Sequence, residues 1–274
     1  MSIQMSRREL AGYLGAVTTL MTITVVAPLL FIVYQSLGES SFSLDAYRNI
    51  LESGLFRRIA WTTFDIALSS AFVSVVLAYP IALHLSRLSD RLRPLFMIFV
   101  SLPFLTSILV KSFAFTIVLG DNGLVNTVLE AWGLPQLTLL FNRFGVLVGM
   151  SSFLIPFVVF PLLANLLAQD ANLRKSASVM GASDMRIFWQ ITFPQSLPAL
   201  AAGAVMCFVL SMGSFVTPAL LGGRHDMMAA NLIDFYTREA LDWPSACAVA
   251  VILSILSTAL LWLLGRLRRD NTLI

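Results

Sequence analysis

Few side chains in this sequence could do chemistry, and those few lie far apart. His84 and His225 are isolated, and Cys207 and Cys247 each sit inside an apolar stretch. No Cys or carboxylate cluster stands beside them, so neither a metal-ligand spacing nor a disulfide framework results. There is no H-E-x-x-H, no G-x-S-x-G and no pair of acids within one apolar run. The zinc, serine-hydrolase and paired-carboxylate chemistries lose their usual signatures. A G-x-x-x-x-G-K-[ST] loop is also absent, so no Walker-type ATP site is expected. The expectation is a chain with no catalytic residue, metal or cofactor of its own.

Two ionisable residues nevertheless lie inside apolar runs, where a charge is expensive and therefore a functional candidate. Asp65, near Trp61, is either a helix-end acid reaching an interface or an anionic point on a route for cations. Lys111 is either a long side chain snorkelling or pairing with an acid of a neighbouring subunit, or a group favouring an anionic or zwitterionic cargo. A third candidate region surrounds "GSFVTPALLGG" (213–223), where Gly213 and Pro218 interrupt an apolar run. Interrupted helices are tolerated where they line a cavity. Ser211, Ser214, Phe215 and Thr217 are therefore pathway candidates. The alternative is a packing kink of small residues.

The elements that position these residues follow from composition. The chain has 274 residues, 58% hydrophobic and 12% charged, with mean hydropathy +0.84. Soluble domains carry about 25% charged residues, so lipid must be the solvent for much of this chain. A span needs roughly 20 apolar residues. Six runs qualify: 11–37, 59–86, 95–119, 144–168, 195–221 and 244–265. Backbone groups in lipid are satisfied internally, and no period-2 alternation suggests a barrel, so the spans read as helices. The predicted fold is an all-α integral membrane protein, a single transmembrane domain over 1–274. The first run follows Arg7 and Arg8, is too long for a signal-peptide core, and lacks a convincing cleavage site.

Six spans put both termini on one side. The N-terminus, the 87–94 loop, the 169–194 loop and the C-terminal tail hold eleven Lys and Arg; the other loops hold six. The positive-inside rule places the first set in the cytoplasm. The outer loops carry nine acids against those six cations, so the outer face is net acidic by three. The pI near 9.1 reflects this topology rather than a nucleic-acid partner, since the net excess is only +3.

The longest cytoplasmic connection, 169–194, is too apolar for a free loop. Met180, Met185, Phe188, Trp189, Ile191 and Phe193 all fall within it. "ANLRKSASVM" is a good helix former, Gly181 breaks it, and "SDMRIFWQITF" reads as a second short helix with Ser183 as N-cap. Gly181 would let another backbone come close. Pro194 and Pro198 suit the start of span 5. An apolar knob on a cytoplasmic face suggests a docking site for a protein.

This segment resembles the signature loop of permease subunits of binding-protein-dependent ABC importers: Glu-Ala-Ala, three residues, Gly, about nine residues, then Ile/Val-x-x-Pro. Gly181-Ala182-Ser183, Phe188, Ile191 and Pro194 match, and "FPQSLP" is similar to the family's "LPLSLP". Lys175-Ser176-Ala177 stands where Glu-Ala-Ala would be, which reverses one charge. "LPFLTSILVKSFAF" (102–115), "NGLVN" (122–126), "GSFVTPALLGG" and "NLI" (231–233) with "DWPSACAVAV" (242–251) resemble the spermidine/putrescine branch.

The resemblance implies the type I importer architecture, N-in and C-in, with a coupling helix between helices 4 and 5 that sits in a groove of a cytoplasmic ATPase dimer. Coupling contacts would fall on Ala177, Met180, Gly181, Ala182, Ser183 and Phe188. ATP and Mg would be bound by that ATPase. A second permease, a homologous partner or a copy of this chain, would complete the pathway, and the branch resemblance implies a different chain. A periplasmic solute-binding protein would deliver a polyamine-like solute, or an opine, aminophosphonate or other small amino compound, across the bacterial inner membrane. Against this stand a secondary transporter, which needs inverted repeats and coupling-ion residues, and a membrane enzyme, which needs a catalytic cluster. Neither signature is present.

Overall fold

The computed structural model describes residues 7–38 and 43–270, with side chains described for 15, 17–38 and 43–262. Among the described residues the chain is entirely helical: α1 (Arg7–Ser36), α2 (Asp45–Glu52), α3 (Gly54–Arg87), α4 (Arg93–Leu105), α5 (Ile108–Leu119), α6 (Leu124–Ala131), α7 (Arg143–Ala168), α8 (Ala171–Val179), α9 (Asp184–Ile187), a π-helical turn (Phe188–Thr192), α10 (Phe193–Met212), α11 (Val216–Leu221), α12 (Ala229–Arg238) and α13 (Trp243–Asp270). Six helical segments are long and apolar enough to cross a membrane.

Two compact units are present. One comprises the chain up to Phe56 together with Leu232–Ile255; the other comprises Arg57–Asn231 and the residues from Leu256 onward. In the first, α1 exposes Leu20, Met21, Ile23, Leu29, Leu30 and Phe31. A helix with so many exposed apolar side chains is stable only in lipid or under another chain. Ser36, fully buried at its end, lies 2.7 Å from the Tyr47 hydroxyl of α2. Asp242 starts α13 by accepting from the Ser245 N–H at 3.1 Å.

The second unit is built on α3, α7 and α10. The buried face of α3 is a stripe of small residues, Ala67, Ser70, Ala71, Ser74, Ala78 and Ala82. Lipid gives little hydrophobic drive for helix association, so close backbone approach and dispersion must supply it, and small residues permit both. Ser70 Oγ reaches Met150 Sδ of α7 at 3.6 Å. Helices α7 and α10 pack antiparallel: Cys207 Sγ donates to Leu154 O at 3.4 Å, and Gly203 lies against Val158. A Cβ at Gly203 would sit 3.0 Å from Val158 Cα, so glycine sets this helix separation.

Two crossings differ from the uninterrupted runs expected from sequence. The third divides at Thr106 and Ser107 into α4 and α5. Pro103 removes a backbone donor near the end of α4, and Thr106 turns to extended backbone (ψ 138). The fifth ends its long helix at Met212 and resumes as α11 after Gly213. By contrast, α7 keeps Pro156 and Pro161 inside one continuous helix. Helices α2 and α12 lie in the outer connections and are too short to register as spans, whereas α6 belongs with α5 to the third membrane-length segment, Ile108–Ala131, which extends beyond the run expected over 95–119. Asn126 pins α6 by donating to Gly120 O (3.1 Å) and Leu137 O (3.0 Å) while accepting from Leu137 N (2.9 Å).

Gly203→Leu is expected to force α7 and α10 apart. Overpacking of a tight seam costs about 1–3 kcal/mol. The purified variant should melt several degrees lower, and an unchanged melting temperature would disprove the seam.

Candidate functional site

The 169–194 connection is a folded knob. Asp170 starts α8, its carboxylate accepting from the Asn172 N–H at 2.8 Å. The helix closes in a Schellman turn: the Gly181 N–H donates to Ser178 O and the Ala182 N–H to Ala177 O, both at 3.0 Å. Gly181 has φ +85, the left-handed conformation that side chains resist, and nothing lies within 4 Å of where its Cβ would be. Its glycine therefore serves the turn's dihedral, and no backbone within this chain approaches it.

The second helix departs from expectation. Helix α9 is a single turn, and the Ser183 hydroxyl makes no capping bond, although its carbonyl accepts from the Ile187 N–H at 2.9 Å. The helix does not stop. It continues through the π-turn into α10, one helical column from Asp184 to Met212. Pro194 accordingly lies inside this column rather than at its start. The π-turn immediately before it shifts the Phe193 N–H onto Phe188 O, absorbing the register change that a missing N–H imposes. Gln169 ties the end of α7 to this turn by donating to Thr192 O at 3.2 Å.

The loop has an inner footing and an outer tip. Ala177 is buried, and Phe188 is half-buried against Tyr79 of α3 (ring centroids 5.8 Å apart, edge-on) and close to Phe193. Tyr79 Oη also lies 3.1 Å from Ser196 Oγ. These two candidate residues hold the loop to its own helices. The tip is formed by Met180 (80% exposed), Gly181 and Ser183, with Val179 (88%), Met185 and Trp189 beside them. Ala182 is intermediate. Val179 was missed from the sequence. Its position one residue before the cap, where a helix side chain has nothing following to cover it, was the available signal.

The pathway candidates are not brought together as one cluster. Asp65 forms an ion pair with Arg143 at the start of α7, a cation that sequence alone assigns to an outer loop. Trp61 stacks near Phe64, which meets Phe208 edge-on at 5.5 Å. Lys111 neither snorkels to an acid nor stands free: its Nζ donates to Pro103 O at 3.0 Å and lies 5.2 Å from the Phe153 ring centre. The cation thus meets a C-terminal carbonyl of α4, where the helix dipole is negative. At the break in the fifth crossing, Asn231 donates to Phe215 O at 3.1 Å and accepts from Met228 N at 3.2 Å. Ser214 is half-buried and Phe215 exposed. Thr217 is buried against Gly149 of α7. Ser211 is buried with no partner for its hydroxyl. Among the described residues, no three His, Cys, Asp or Glu side chains gather as metal ligands would.

A helical bundle of this apolarity, with a folded cytoplasmic knob leading into its fifth crossing, matches a known family. The family of binding-protein-dependent transport system inner membrane components covers residues 70–272. The chain belongs to this family. It is a multi-pass inner-membrane permease subunit of a bacterial ABC importer, and the 169–194 knob is its coupling loop. Spermidine/putrescine transport system permease proteins PotB of Escherichia coli and Salmonella typhimurium are each 29% identical over 230 residues, covering 83% of this chain and 83% and 80% of theirs. A putative 2-aminoethylphosphonate transport system permease protein PhnU of Salmonella choleraesuis is 29% identical over 252 residues (85% of this chain, 83% of that one). Among solved structures, a bacterial alginate ABC transporter in complex with its alginate-bound periplasmic protein superposes with TM-score 0.82 at 18% identity, covering 97% of this chain and 96% of its own. The methionine ABC transporter MetNI, inward-facing, gives TM-score 0.59 at 18% identity, with coverages of 78% and 94%.

Lys111→Met is expected to leave Pro103 O without this donor, at a cost of about 1 kcal/mol. A melting temperature a few degrees lower for Met, largely recovered in Lys111→Arg, is the expected result. Identical melting for Met and wild type would remove the capping role.

Proposed function

We propose that this permease moves a polyamine-type cation inward, driven by ATP hydrolysis in a separate cytoplasmic ATPase dimer. On this reading the chain itself hydrolyses nothing, and ATP and Mg belong to the ATPase. The observation that carries it is the exposed apolar tip at Val179, Met180, Met185 and Trp189, mounted on a glycine turn. Apolar side chains so exposed on a cytoplasmic loop need a protein cover. The likeness to PotB permeases and the net acidic outer loops support a cationic cargo delivered by a periplasmic binding protein. The second reading, an aminophosphonate or similar amino compound, is favoured by the PhnU relatives.

The coupling path follows from the helical column. Movement of the tip turns a continuous helix of 29 residues, Asp184–Met212, about 43 Å long at 1.5 Å per residue. Its far end is the break at Gly213, where Ser211, Ser214, Phe215 and Thr217 lie. Opening and closing of this region would then be a two-state equilibrium biased by ATP and by the loaded binding protein. Ala177 and Phe188 act here as the footing, with Met180, Gly181, Ala182 and Ser183 at the ATPase contact.

Mild extraction of the tagged chain should bring with it an ATPase and a second, different six-span permease. The co-purified binding protein, screened against polyamines and aminophosphonates, decides between the two cargoes. A chain that came out alone and moved solute without ATP would overturn the reading. Gly181 variants separate dihedral from bulk: Gly181→Asn tolerates a positive φ, whereas Gly181→Trp adds bulk directed away from this chain. Asn should retain most uptake. Trp should leave the complex assembled with ATP hydrolysis uncoupled from uptake, and normal uptake in Trp would sink the contact.

A further inference from the structure

A cleft of about 440 Å³ opens between the end of the second crossing and the coupling loop. Arg87, Arg174 and Lys175 stand on its rim, Leu83 and Phe188 on its apolar floor, and Asp184 is its single acid. None of the three cations has an ion-pair or hydrogen-bond partner among the described residues. Three like charges around one cavity repel, and one unpaired acid leaves a net charge of +2 to be neutralised. We propose that this cleft binds a phosphate-bearing anion, the headgroup phosphate of an anionic glycerophospholipid being the fitting source.

Three observations support this chemistry. The first is level. Arg87 is the last residue of α3, and Thr192, which also lines the cleft, is the last residue of the π-turn that leads into α10. The rim therefore lies where the spans leave the bilayer on the cytoplasmic side, the depth of the inner-leaflet phosphates. Basic pockets between spans at that depth take anionic headgroups. The second is shape and charge. Two guanidinium forks and an ammonium suit phosphate oxygens, apolar Leu83, Ile187 and Phe188 in the lining suit the first methylenes of an acyl chain, and the volume exceeds what a lone inorganic ion fills.

The third is direction. On α8, Ala171, Arg174, Lys175 and Ser178 face the cleft at helical spacing. Leu173, Ser176 and Met180 lie on the opposite side and are exposed. Leu173 and Ser176 thus face away from the basic cleft, while Val179 of the tip lies one turn beyond Lys175, so a protein seated on the tip borders the cleft at Lys175 and leaves Arg87 and Arg174 on its far side. An anion held by Arg87 on one side and by Arg174 and Lys175 on the other would brace the coupling loop against α3. The proposal rests on the membrane placement of the family and not on the identity of the cargo.

The test uses the complex as extracted, reconstituted in nanodiscs of phosphatidylcholine with or without phosphatidylglycerol, delipidated stepwise and weighed by native mass spectrometry. Wild type should retain phosphatidylglycerol that the triple variant Arg87→Gln/Arg174→Gln/Lys175→Gln releases, with retention falling about fivefold per charge removed. Lys175→Glu, which installs the acid of the related loop pattern, is the second variant. It should weaken retention while keeping the fold. If millimolar inorganic phosphate or glycerol phosphate displaces the lipid and occupies the site in its place, the phosphate chemistry stands with a soluble source. Equal lipid retention in wild type and both variants overturns the proposal. So does a triple variant that keeps its lipid but loses its ATPase, because the rim would then be meeting a protein carboxylate. Loss of cargo uptake alone, with lipid retention as expected, would bear on the transport reading and not on this site.

Discussion

A backbone group in hydrocarbon has no water to turn to, and this constraint governs the places where the chain stops being an ordinary helix. An unsatisfied peptide group there costs several kcal/mol. At the breaks, side chains add to backbone bonds, as at Leu102 O and Phe215 O, or take a carbonyl near a helix end, as at Pro103 O. At Thr106 and Ser107, Thr106 Oγ1 donates to Leu102 O at 2.8 Å, and Lys111 Nζ takes Pro103 O. At Gly213, Asn231 reaches Phe215 O. Ahead of Pro194 a π-turn changes the register, with Gln169 taking Thr192 O. Lys111 therefore has a structural occupation before any functional one. A cation at a helix C-terminus and over an aromatic face is placed where both the dipole and the ring quadrupole favour it.

The same constraint explains why the coupling loop is not an independent module. A short helix ending at the membrane surface would leave its last carbonyls to be satisfied separately. Running α9 through the π-turn into α10 removes that end altogether. The helix C-terminus that remains within the loop is the Schellman turn at Gly181, and it lies in water where its groups are easily met. The aromatic footing of Phe188 and Phe193 around Tyr79 fixes the column to α3. What reaches the aqueous side is the part that needs no support from lipid: Val179, Met180, Met185 and Trp189.

Much of this was legible in the residues. Apolar runs of sufficient length gave six crossings, because burial in lipid depends on composition more than on partners. The left-handed glycine was legible as a break, and Gly213 and the tip methionines were positions where local chemistry decides. Contacts distant in sequence were not legible. Arg143 reads as a loop cation until α3 brings Asp65 to it, and Asn231 reads as a loop amide until the fifth crossing breaks beside it. The division of the third crossing was hidden because Pro103 alone does not stop a helix; Pro156 and Pro161 lie within an unbroken α7. The difference lies in the extended backbone at Thr106 and Ser107, which Lys111 helps to stabilise from eight residues beyond Pro103. The merger of α9 with α10 was likewise hidden, since Pro194 ordinarily marks a helix start.

The pairing of the in-span charges bears on how a polyamine would be accommodated. Asp65 is the single acid within the six spans, and Arg143 already engages it. A solute with several positive charges, stripped of water, needs opposing charge or a dense set of carbonyls and aromatic faces. Within its six apolar runs this chain carries exposed Trp61 and Phe215 and the break at Gly213, and the one acid in those runs, Asp65, is paired. Two copies facing one another would leave those runs without an unpaired acid as well. The alternative cargo inverts the requirement: a phosphonate oxygen would seek a cation, and the one cation in a crossing, Lys111, is already committed to a carbonyl and a ring. For either solute, the charge that recognises the cargo has to come largely from outside this chain's six crossings, from the partner permease or from the binding protein that delivers it.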